Sequence, residues 1–214
     1  MEGSGGRFPS GPQYMKRFVY SSVLIYIAVA ILLLVIPDNF FPDFYQPIIM
    51  ASLALSSAFL IMLPRFLFRE KSDKKRMYAT LRLQGLIALI LLLNGLGGLG
   101  LYKLYVIGFE YDKLMHFTGP MLLTLFGSDF VSTWFDKKRK NALIVSGGLV
   151  VLGGLLWESL EAMSDAFLGT SLLGGGEGLA ALDTMIDLIM NVLGVLLAFA
   201  VFRIQGTYQR RSEG

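Results

Sequence analysis

Apolar residues along this chain gather into six runs separated by short polar or charged segments. A bilayer core of about 30 Å needs roughly 20 apolar helical residues, and the first run, 18–36, reaches that length without a charge. It exceeds the roughly 7–15 residues of a signal-peptide core, and no small-x-small cleavage pattern follows it, so it reads as a retained helix. The second run opens on Pro47, a favourable first helical residue, and closes at Leu63 before Pro64 and Arg65. The remaining runs cover 83–101, 115–134, 143–163 and 183–202, and the last three carry acids within the apolar pattern. The pattern predicts an all-α polytopic membrane protein. Its architecture is a six-transmembrane-helix bundle at 16–206, with a disordered Gly/Ser-rich tail at 1–15 and a short tail at 207–214.

Charge tests that count independently, because Lys and Arg favour cytoplasmic loops. With the N-terminus inside, basic residues around 7–17, 65–82, 137–140 and 203–211 make up 17 of the 19 in the chain; Lys103 and Lys113 alone fall outside. Ten of the sixteen acids sort to the opposite side. Both termini are therefore expected in the cytoplasm. Topology and attraction to anionic headgroups account for the basic loops. No nucleic-acid recognition motif accompanies them, so the expected partners are membrane lipids and not nucleic acid.

Composition agrees. Of 214 residues, 54% are hydrophobic and 16% charged, against about 45–50% and about 25% in soluble domains. The absence of cysteine excludes a disulfide framework, a thiolate zinc site and a cysteine nucleophile. The single histidine excludes an H-E-x-x-H protease. Residues 95–100 spell G-x-G-x-x-G, but a dinucleotide site needs a preceding strand. Close helix packing is the expectation here, as for Gly147, Gly148, Gly153 and Gly154. The loop 38–46 is aromatic, as suits the headgroup level, and the glycine-rich loop 165–182 is a pliable connector or a lid over the outer mouth.

The candidate chemistry lies in the last three helices. Asp112 and His116 are four apart; Glu158, Glu161 and Asp165 are spaced three and four; Asp183, Asp187 and Asn191 are spaced four and four. Each spacing puts its residues on one helix face, and the charge-derived topology puts all three stripes near the outer surface. Intramembrane acids face a partner, a cavity or the protein interior. A hydrogen-bond network tying the helices together is one reading. Clustered carboxylates that hold protons or accept a cation are the other. An oxygen-rich set with one imidazole suits magnesium, manganese or calcium, with His116, Glu158, Glu161 and Asp187 as candidate ligands.

The segment Asp112-Lys113-Leu114-Met115-His116-Phe117 resembles the D-K-x-x-H-F signature of VanZ-like membrane proteins and related bacterial inner-membrane families. Glu158 and Glu161 resemble the second motif of that family, and Asp187-x-x-x-Asn191-x-x-Gly194 is similar to its third. The likeness covers about 110–200. Trp157, the extra acids Asp165 and Asp183, and the long glycine loop depart from the pattern. Three functions stay open. The site recognises a lipid or cell-envelope component; or it is a metal-dependent hydrolase or transferase acting on lipid-phosphate or polyprenyl substrates; or it belongs to a proton- or cation-coupled transporter.

Overall fold

The computed structural model describes residues 11–37, 47–69, 72–168 and 180–212. The aromatic loop at 38–46 and most of the glycine-rich connector lie outside these residues, as do the first ten positions. Six α-helices and one 3-10 segment make up the described structure: α1 (Gly11–Val35), α2 (Pro47–Leu67), α3 (Lys74–Gly98), the 3-10 segment Leu101–Ile107, α4 (Tyr111–Phe135), α5 (Arg139–Leu168) and α6 (Ala180–Ser212). No strand occurs among the described residues. The G-x-G-x-x-G match therefore has no βαβ setting.

Five of the helices, α1, α2, α3, α5 and α6, are long and apolar enough to cross a membrane. In α4 the polar groups Asp112, Lys113 and His116 near one end and Asp129 towards the other interrupt the apolar content. Most helices run past the apolar limits read from the sequence. At the start of α3, Asp73 Oδ1 accepts from the backbone amides of Lys75 (2.8 Å) and Arg76 (3.3 Å). That cap carries the helix several residues beyond the apolar run. α1 already begins at Gly11, so part of the segment assigned to the tail is helical. Likewise α6 continues through Ser212.

The chain divides into two compact units, Met1–Leu89 and Ile90–Gly214, the division falling within α3. In the first, α1 buries Val19, Ser22, Tyr26, Ala30 and Leu33, spaced three and four apart. α2 answers with Ala51, Ala54, Ala58 and Ile61. Small residues let two backbones approach where no hydrophobic drive separates lipid from protein. Gln84 of α3 donates to the Ile61 carbonyl at 3.1 Å, closing this core with a satisfied polar group.

In the second unit α4 packs against both α5 and α6, and α5 packs on α6. Three glycines set the spacing. A β-carbon at Gly194 would overlap the Phe117 carbonyl oxygen, so α4 and α6 cross with backbone against backbone. Gly147 faces Val195 and Phe199, and Gly154 faces Asn191. Gly148, Gly153, Gly98 and Gly100 meet nothing. Gly97 faces the Tyr102 ring, and Gly100 adopts φ 130, a turn conformation that needs glycine. That run is the exit of α3. Tyr111 then ties the start of α4 back to α3 by donating to the Leu93 carbonyl at 2.7 Å.

Large apolar side chains face outward along these helices. Leu149, Leu152, Leu156 and Leu160 form an exposed row on α5, and Ile186, Ile189, Leu193 and Leu196 form one on α6. Glu158, Asp187 and Asn191 are buried on the same two helices. Polar inside and apolar outside is the arrangement a lipid solvent imposes.

Candidate functional site

The buried polar face of the second unit begins with Lys113, in the first turn of α4. Its side chain is 13% exposed, and its Nζ lies 2.5 Å from Asp183 Oδ1, 2.7 and 2.8 Å from the two oxygens of Asp187, and 3.2 Å from Asp112 Oδ2. One ammonium thus gathers three carboxylates from two helices. An ammonium has three donors and a flexible stem, which suits it to bridging carboxylates that approach from different directions.

His116 sits one turn further along α4. Its Nε2 is 3.6 Å from Asp112 Oδ1 and 4.0 Å from Asp187 Oδ1, while Nδ1 is 3.8 Å from Glu158 Oε1 on α5. These are electrostatic contacts, longer than direct hydrogen bonds. Glu158 is 5% exposed, and its Oε1 has no hydrogen-bond partner among the described residues. The same holds for Nδ2 of Asn191, which is 4% exposed and lies against Gly154, one turn from Glu158. Among the described residues the site thus holds one unpartnered acceptor and one unpartnered donor. A buried polar atom without a partner costs about 1–3 kcal/mol, so it needs a functional or structural reason.

The helix stripes read from the sequence account for most of this set. Asp112, His116, Glu158, Asp183 and Asp187 come together, with Asn191 beneath them. Glu161 is half-buried beside Trp157, within electrostatic reach of Glu158, Asp112 and Asp187. Asp165 continues the α5 stripe and is half-buried. Lys113 is the residue that sequence reasoning passed over. It follows Asp112 directly, about 100° around the helix, and so lies off the Asp112–His116 stripe. Two signals pointed to it: it is one of only two basic residues on the acidic side, and it stands inside the D-K-x-x-H-F segment.

A metal would meet a different donor set from the one expected. Asp112, His116 and Asp187 each offer an atom within 4.8 Å of the others, whereas Glu158 and Glu161 are not in this group. Lys113 already engages both Asp187 oxygens. A divalent ion at this trio would have to displace the ammonium. Asp129, the acid towards the other end of α4, pairs with Arg139 at 3.5 Å, and both side chains are about half exposed. It is a surface ion pair and not a step in a buried acidic path.

A helical bundle with an apolar exterior and a buried Lys–His–carboxylate cluster defines the class: an integral membrane protein. The chain belongs to the family described as "Predicted membrane protein (DUF2238)", whose model matches residues 18–207. A relative from Thermotoga maritima, named "Uncharacterized protein", is 33% identical over 88 residues, which cover 40% of this chain and 44% of that protein. The match thus spans less than half of either chain. No solved structure matches.

Proposed function

We propose that this protein is a VanZ-like envelope protein that crosses the membrane six times with both termini in the cytoplasm. Its acidic/histidine site, at the outer face, recognises a lipid or cell-envelope component through a cationic group. The observation that carries the reading is the surplus of carboxylates: Asp112, Asp183, Asp187 and Glu158 surround one ammonium and one imidazole. Several anions, of which Glu158 and Asp187 are buried, favour protons or a further cation. The carboxylates that hold Lys113 are already spaced for an ammonium, so a primary ammonium headgroup that displaces Lys113 is the fitting ligand class.

The test compares phosphatidylethanolamine with phosphatidylcholine, added to purified full-length protein in neutral detergent. A ligand that binds only the folded state raises the melting temperature. The ethanolamine lipid is expected to raise it in wild type but not in Asp187→Asn, and the choline lipid in neither. An equal rise with both lipids, or one that survives in Asp187→Asn, refutes the reading.

The proximity of Asp112, His116 and Asp187 favours a second reading. In it a magnesium, manganese or calcium ion displaces Lys113 and serves hydrolysis or transfer on a lipid phosphate. Stabilisation of wild type by one of these ions alone, absent in Asp187→Asn, selects it over the first.

A further inference from the structure

The first unit carries a separate constellation of opposite charge. A shallow, open groove of about 520 Å³ follows one face of α1, lined by Gln13, Lys16, Arg17, Tyr20, Ser21 and Leu24. Their spacing places them on a single helical stripe. Arg65, in the last turns of α2, donates to the Tyr20 hydroxyl at 2.6 Å, and its guanidinium lies 6.0 Å from the Tyr20 ring centroid. Lys16 Nζ stands 5.9 Å from the same ring.

Among the described residues no carboxylate pairs with these charges. The only acid among the described residues of this unit is Asp73, which is engaged by the backbone amides of Lys75 and Arg76 and by the Arg76 side chain at 3.7 Å. Lys16, Arg17 and Arg65 have no acidic partner among the described residues. Cations that converge without an anion repel one another, and an anion placed among them removes that cost. The Tyr20 hydroxyl accepts from Arg65, which leaves its own hydrogen to donate to such an anion.

The stripe also changes character along its length. It passes from Lys16 and Arg17, through an amphipathic tyrosine, to Leu24, beside which Ile25, Ile27 and Ile31 are exposed. A small inorganic anion uses only the charged end. An amphiphile uses all of it, headgroup against the cations and hydrocarbon against the leucine. We propose that this groove is a binding site for an anionic phospholipid, its phosphate held by Lys16, Arg17, Arg65 and the Tyr20 hydroxyl. The site differs from a diffuse basic loop because Lys16 and Arg65 converge on one phenol, with Arg17 on the same helical stripe.

The test is lipid retention by the full chain in neutral detergent, read by native mass spectrometry during titration. The probes are phosphatidylglycerol, phosphatidylcholine, glycerol phosphate and inorganic phosphate. Wild type is expected to retain phosphatidylglycerol and none of the other three. Lys16→Gln/Arg17→Gln is expected to weaken retention by roughly thirty-fold, as loss of two headgroup-facing cations implies. Arg65→Gln tests the same groove from the other helix. Lys74→Gln/Lys75→Gln, which removes equal charge outside the groove, is expected to behave as wild type. Retention undiminished in Lys16→Gln/Arg17→Gln or in Arg65→Gln overturns the proposal, as does an equal loss in Lys74→Gln/Lys75→Gln, which makes the attraction diffuse. Equal retention of glycerol phosphate or inorganic phosphate overturns the lipid assignment.

Discussion

Replacing Lys113 by Met isolates the ion cluster, because methionine keeps most of the apolar stem and removes only the charge. Three carboxylates then face one another without the ammonium. At the 2.7 Å separation of Nζ from Asp187 Oδ1, the pair attraction is on the order of 6 kcal/mol at an effective dielectric of about 20. Desolvation of both partners offsets much of this, yet removing one member of a buried pair costs about 3–5 kcal/mol, because the other charge is left uncompensated. Asp187 is 6% exposed at its side chain, whereas Asp183 and Asp112 are 34% and 36% exposed. Water can therefore resolvate two of the three acids. A net loss of about 2–4 kcal/mol follows, equivalent to a fall in melting temperature on the order of 10 °C for a unit of this size. The chain's two tryptophans, Trp134 and Trp157, both belong to the second unit, on α4 and α5, so intrinsic fluorescence during heating reports on the unit that holds the cluster. In the double variant Lys113→Met/Asp187→Asn, the second change should be far less damaging than in wild type, since the charge it removes has lost its partner. A Lys113→Met protein that melts within about 1 °C of wild type refutes a central role for the ammonium.

Two further outcomes follow from the same contacts. Gly194→Ala places a methyl group on the Phe117 carbonyl oxygen at the α4–α6 crossing, so it should cost about 3 kcal/mol or more; Gly148→Ala, with nothing near it, should be neutral in the same melts. For orientation, Ser72→Cys should react with a membrane-impermeant maleimide only in inverted vesicles or lysed cells, and labelling in intact cells would reverse the topology and move the acidic site to the cytoplasmic face.

What the linear sequence determined is local. Runs of apolar residues, the sorting of basic from acidic segments and the helical spacing of polar residues were enough to establish an all-helical membrane protein and to bring Asp112, His116, Glu158, Asp183 and Asp187 to mind as one group. Periodicity encodes which face of a helix a residue occupies, and a polar stripe within an apolar helix has little choice but to turn inward. The same arithmetic carries no information on how neighbouring helices are rotated or how far a side chain reaches. Lys113 lies off the Asp112–His116 stripe, and only the packing of α4 on α6, allowed by Gly194 against the Phe117 carbonyl, brings Asp183 and Asp187 within range of its ammonium. Helix ends were equally hidden from a hydropathy count, because caps such as Asp73 extend helices beyond the apolar stretch. The glycines at 95–100 could be read as packing residues until tertiary structure set Gly97 against Tyr102 and made the run the last turn of α3 and its exit. A short motif specifies the residues available to a site, while the distances that give those residues a chemistry depend on contacts between helices far apart in the chain.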